Sequence, residues 1–283
     1  MKKITSVFFE IKPIMHAFLF ELKRHKKQFI IFCIISILIF FFMDFFLYYA
    51  FPEIDMPDTL TDYYIQSLTW LNINDLSFIS VFILFSACFF FSGIICTEFG
   101  EKTAYVIFPK INKYKLLIGK FLGNLTLLFG VITSHYILVI LGGYLFYGNL
   151  IDFRIISSYR FALLFATALS SFVTFFSSIT KNENITIVCS IILIMIVLTI
   201  IDFIFMASNL KLEPLYSLVY PSRLIEYVLY KKFPNPRYEE EDYGDYISRY
   251  WLTPTIMAGT IILLIYTTVC LIAAIYIFQK RQI

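Results

Sequence analysis

Hydrophobic and polar residues fall into long alternating blocks along this chain. Six blocks are apolar for about 20 residues or more: 29–49, 78–97, 121–147, 160–179, 185–207 and 255–278. At about 1.5 Å of rise per residue, about 20 helical residues cross the roughly 30 Å of bilayer hydrocarbon. A lone strand in lipid leaves its backbone groups unpaired, and a barrel strand needs only about 10 residues. The blocks therefore predict six transmembrane helices.

Two polar-rich stretches carry their own periodicity. In 13–27, Ile14, Phe18 and Leu22 recur at i, i+4 and i+8, and Met15 and Leu19 widen that face. Glu21, Lys23, Arg24, Lys26 and Lys27 fill the rest of the turn. That pattern predicts an amphipathic helix lying in the inner interface, its lysines near anionic headgroups. The stretch 208–254 begins with aromatic and apolar runs broken by Pro214 and Pro221, then turns acidic from Glu239 to Asp242. It predicts interfacial or re-entrant pieces followed by a solvated turn, because a loop this long usually has structure of its own.

Composition sharpens this picture. Of 283 residues, 59% are hydrophobic and 15% charged, against about 45–50% and about 25% in ordinary globular domains. Such a chain is expected to be an all-α polytopic membrane protein, a single transmembrane domain over 1–283. Lys and Arg give its orientation: fifteen fall on the side of the two termini and eight on the other. The positive-inside rule then places both termini in the cytoplasm, with 208–254 outside, in the cell membrane. A net charge of +3 gives no reason to expect nucleic acid. The five cysteines all lie within apolar blocks and form no Cys-x-x-Cys pair. They read as small buried hydrophobes, with no disulfide framework or metal site expected. The first apolar block is too long for a leader core, so no cleavable leader is expected.

Few residues suggest chemistry. Asp44 and Asp202 fall toward the outer ends of the first and fifth spans. They either reach into the outer headgroups or line a translocation path. His135 lies in mid-span, where a packed, hydrogen-bonded histidine is the expectation. Gly119 and Gly123 form a Gly-x-x-x-Gly pair, a spacing that lets helices approach closely. Tyr48, Tyr49, Tyr63, Tyr64, Tyr144, Tyr147 and Tyr159 cluster near the outer boundaries, as an interfacial belt would.

The stretch between the second and third spans is the most informative. It runs Glu98, Phe99, Gly100, Glu101, Lys102, Thr103, Ala104, Tyr105, Val106, Ile107, Phe108, Pro109 and on to Gly119-Lys120. It is charged, then apolar, then broken by proline before the next span begins. This is either an ordinary basic loop or a short amphipathic helix, over 98–115, that docks in a groove of a soluble partner.

Glu98, Thr103, Pro109, Lys113, Gly119 and Lys120 match the pattern that ABC-2-type ABC transporter permeases carry at this place. The layout resembles that family along the whole chain; the residue match covers about 98–120. Lys102 departs from it, standing where the family usually has glycine. The resemblance implies a membrane-spanning permease subunit of an ATP-driven exporter. It also implies two copies of a cytoplasmic ABC ATPase subunit, a second permease copy or homologue, and no enzyme activity in this chain. Glu98, Glu101, Thr103, Tyr105, Pro109 and Lys113 would form or flank the coupling helix that docks on the ATPase. ATP and Mg would bind only to that partner. This chain has no P-loop, since Gly119-Lys120 is followed by Phe121 rather than Ser or Thr.

Rival readings are weaker on the residues. A secondary transporter driven by an ion gradient calls for acids near the midplane and broken helices. An intramembrane enzyme needs paired catalytic groups at depth, and His135 has no such partner in sequence. A membrane anchor subunit of a complex makes no such demand.

Overall fold

The apolar blocks fold as helices whose ends are set by the polar residues beside them. The computed structural model describes residues 2–42, 59–69, 76–100, 112–148, 152–207, 213–242 and 247–281. In chain order the helices are α1 (Lys2–Arg24), α2 (Lys26–Phe41), α3 (Leu60–Thr69), α4 (Phe78–Phe91) and α5 (Gly93–Gly100). After these come α6 (Lys113–Tyr147), α7 (Phe153–Ile179) and α8 (Glu183–Ile192). A π-helical turn, Leu193–Leu198, joins α8 to α9 (Thr199–Ala207), and α10 (Leu224–Tyr227) and α11 (Ile256–Lys280) complete the set. Side-chain oxygens cap several starts: Asp152 accepts from the Arg154 amide at 3.0 Å, Asn182 from Asn184 at 3.0 Å, and Thr255 from Ala258 at 3.2 Å. Gly148, at φ +61°, ends α6 in the left-handed conformation that glycine adopts without strain.

Five stretches are long and apolar enough to cross a membrane: Phe78–Phe99, Lys113–Tyr147, Phe153–Ile179, Glu183–Asp202 and Ile256–Lys280. They mark the chain as a multi-pass helical membrane protein. The first predicted span, 29–49, coincides with α2 as far as Phe41, and the part of it beyond Phe42 lies outside the described residues. Phe78–Phe99 is the central post, its most apolar part 89% buried, whereas Glu183–Asp202 is 17% buried and Ile256–Lys280 22%. The last two therefore present broad apolar flanks to their surroundings. α11 runs along α7, and both α1 and α2 run along α6.

Contacts sort the chain into two ends. One end gathers α1, the start of α6 and Arg281; the other gathers α3, the end of α6 and the stretches 213–242 and 247–255. The second end differs from expectation in three ways. First, α3 was not expected at all. Its Tyr63 and Tyr64 are buried rather than belt residues. They fit because α6 offers Gly142 and Gly143: a Cβ at Gly142 would strike the Tyr63 hydroxyl, and one at Gly143 would lie 2.9 Å from the Tyr64 ring.

Second, the acidic run is a strand. β1 (Tyr238–Asp242) pairs antiparallel with β2 (Ile247–Trp251), setting Tyr238 opposite Trp251 and Glu240 opposite Arg249. Arg249 binds Glu240 at 2.6 Å and lies 4.1 Å over the Tyr238 ring. Such cross-strand pairs offset the poor strand propensity of consecutive acids.

Third, the turns around Pro221 are packed into the bundle. Tyr220, Leu224 and Ile225 are buried. Ser158 of α7 donates to the Ile225 carbonyl at 2.7 Å. Two arginines of this end serve the same packing. Arg223 donates to the Trp251 and Leu252 carbonyls, and Arg237 pairs with Glu213 at 2.7 Å.

Candidate functional site

At the α1 end, two glycines let two helices touch, and the contact creates a buried charge cluster. A Cβ at Gly119 would lie 2.5 Å from the Ile14 carbonyl oxygen and 2.7 Å from Ala17 Cβ. A Cβ at Gly123 would lie 2.9 Å from the Phe18 carbonyl oxygen. The Gly-x-x-x-Gly pair is therefore the seat of α1. The edge that α1 turns inward is Ala17 and Glu21, continued by His25 in the bend before α2. Met15, Leu19 and Phe20 stay exposed.

This seating brings Glu21 to Lys120. Lys120 Nζ lies 3.1 Å from Glu21 Oε1 and also pairs with Glu98 at the end of α5. His25 Nε2 is 3.2 Å from Glu21 Oε2, and its other ring nitrogen meets Gln28. Arg24 approaches Glu21 at 3.8 Å. One turn further along α6, Asn124 donates to the Phe90 carbonyl at 2.7 Å. Glu21 is 0% exposed and Lys120 2%. Charges so buried persist only when paired, because removing an ion from water costs several kcal/mol or more. Burial pushes the Glu21 carboxyl up, but His25 and Lys120 outweigh it and hold the carboxyl below its ordinary value. The cluster is a three-way joint, with Glu21 from α1, Glu98 from α5 and Lys120 from α6.

That joint stands at the roots of residues 101–111. The second root is anchored separately. Lys113 donates to the Arg281 carbonyl at 2.9 Å. Arg281 donates to the carbonyls of Ser178 and Thr180 at 3.0 and 2.9 Å and lies 4.2 Å over the Phe99 ring. Phe99 in turn meets Phe278 edge-on at 6.0 Å. The ends of α5, α7 and α11 and the start of α6 are thereby tied together.

The residues predicted for partner docking fall as follows. Glu98 is buried in the joint and Lys113 is at the second root, while Glu101, Thr103, Tyr105 and Pro109 lie outside the described residues. Of the two acids considered for a translocation path, Asp44 also lies outside them. Asp202 sits at the opposite end, accepting from the Ser217 hydroxyl at 3.0 Å. His135 is packed and bonded: its Nδ1 is 3.0 Å from Ser36 Oγ, and Phe82 lies 5.5 Å away. No group of residues suited to holding a metal ion occurs among the described residues.

The sequence pattern placed Glu21 on the polar face of α1 and Lys120 with Gly119 in the motif entering the third span, but it did not pair them and gave His25 no role. The available signal was the spacing of Ala17, Glu21 and His25, one face of a helix, together with the small-residue pair flanking Lys120. Comparison with protein-family models and with curated proteins returns no match.

Proposed function

We propose that this chain is the membrane-spanning permease subunit of an ATP-driven exporter of the ABC-2 type. In this reading six helices cross the cell membrane, with α2 the start of the first, and both termini lie in the cytoplasm. Two cytoplasmic ATPase subunits bind ATP and Mg, and a second permease copy or homologue completes the transporter. The segment 98–115 receives the ATPase. The observation that carries the reading is the buried Glu21–Lys120–Glu98 joint. A loop that transmits force needs rigid roots, and this one is rooted in an interfacial helix and two spans at once. A loop that merely connects two helices needs no such anchoring.

Glu98 cannot separate docking from folding, because its carboxylate is part of the joint. Tyr105 and Thr103 are better probes. The test is to search the reading frames neighbouring this chain's for a P-loop ATPase, co-express the two, purify the complex and measure ATP hydrolysis. Permease-dependent stimulation is expected, and Tyr105→Ala should cut it about tenfold or more, as loss of an interface hot spot does. Unchanged stimulation, with the permease still folded, would count against the proposal.

A further inference from the structure

The span Phe78–Phe99 is built of two helices. Backbone angles at Ser92 remain helical, φ −57° and ψ −42°, but the hydrogen-bond ladder changes hands there. In an unbroken helix the Ser92 carbonyl accepts from the Cys96 amide. Here it accepts from the Ser177 hydroxyl of α7 at 2.6 Å and from the Cys96 thiol at 3.1 Å. The amides of Ile95 and Cys96 donate to the same Ser177 oxygen at 3.1 and 3.2 Å. One hydroxyl from a neighbouring helix has taken the place of a rung, a recognised cause of helix bending.

A second contact meets the same point. Gly93 leaves space for the Glu183 carboxyl, which a Cβ there would approach to 3.1 Å. Glu183 Oε1 accepts from the Ser92 hydroxyl at 3.2 Å. At its far end α5 carries Glu98, held by Lys120. This short helix thus has directional polar contacts at both ends.

We infer that α5 is a lever pivoting at Ser92, and that Ser177 is the positioning residue that latches it. A rung inside a helix survives when neighbouring helices part. A rung lent by another helix opens with them, so any shift of α5 against α7 is felt at Ser92. A swing of α5 also carries Glu98 with respect to Lys120 and thereby reaches α1. What drives the swing rests on the proposed function; the hinge itself does not.

Hydrogen–deuterium exchange on the full-length protein in lipid nanodiscs tests the hinge without partner, nucleotide or substrate. Ser177→Ala should raise exchange in 93–99 about tenfold, the effect of losing a buried hydrogen bond. Exchange in 78–91 and 125–145 should change less than about twofold. Ser177→Thr, which keeps the hydroxyl, should restore the slow exchange. Unchanged exchange in 93–99 for Ser177→Ala would overturn the latch. An equal rise through 78–91 would overturn the hinge, because the two helices would then open as one. Failure of ATPase stimulation would leave this result untouched, and the reverse also holds.

Discussion

Lys120 Nζ lies 3.1 Å from Glu21 Oε1, and the same ammonium also pairs with Glu98. One cation therefore holds two carboxylates in a buried site. Lys120→Met leaves both without it. Removing one partner of a buried ion pair costs about 3–5 kcal/mol, so a large fall in the melting temperature of the purified protein is expected. Adding Glu98→Gln to Lys120→Met should recover part of that loss. A double variant no more stable than Lys120→Met would show that the pairing is not what the single change removes.

The seat of α1 predicts unequal glycine effects along α6. Gly119→Ala puts a methyl against the Ile14 carbonyl, where backbone must move. Forcing atoms into a packed contact costs about 1–3 kcal/mol. Gly130→Ala instead meets the edge of the Phe29 ring at 2.9 Å, a side chain that can turn aside. Thermal melting should therefore rank Gly119→Ala well below Gly130→Ala.

Acid should release α1. The Glu21 carboxyl is held below its ordinary value of 4.5. A depressed carboxyl adds stability above its unfolded pKa and loses it as pH falls through the lower folded value. The contribution is thus complete at neutral pH and decays below about pH 4.5. Melting curves across pH 3 to 7 should show that acid limb, and Glu21→Gln should flatten it while lowering stability at pH 7.

The long apolar blocks made the spans legible: α6 and α7 differ from expectation in about two extra helical turns at their starts, and α11 agrees to within two residues at each end. The face of α1 was harder to read. Glu21 looks like a solvent residue until Lys120, far along the chain, is placed against it. The β-hairpin was hidden for a similar reason. Four consecutive acids read as a turn, and only the cross-strand Arg249, with Tyr238 and Trp251, makes them a strand. Capping residues such as Asp152 and Asn182 mark where two of the helices begin. Ser177 carried no local signal, because its role depends on a neighbouring helix rather than on its own.

The packing of 220–242 and 247–253 predicts that Arg223 is the main tie between the hairpin and the bundle, with Arg237 a second. Arg223 donates to the carbonyls of Trp251 and Leu252 and lies 4.8 Å over the Tyr250 ring. Arg223→Ala should therefore expose 228–252 to limited proteolysis with little effect on cleavage elsewhere. Arg249→Ala, whose partner Glu240 is exposed, should matter less, since exposed ion pairs contribute about 0–1 kcal/mol.

The side on which 101–111 lies decides whether an ATPase in the cytoplasm can reach it. Single cysteines at positions 105 and 232, placed in a background lacking the native cysteines, can be labelled in intact cells with a membrane-impermeant maleimide. Position 232 should react at once and position 105 only after the cells are permeabilised. Labelling of position 105 in intact cells, with 232 protected, would contradict the account.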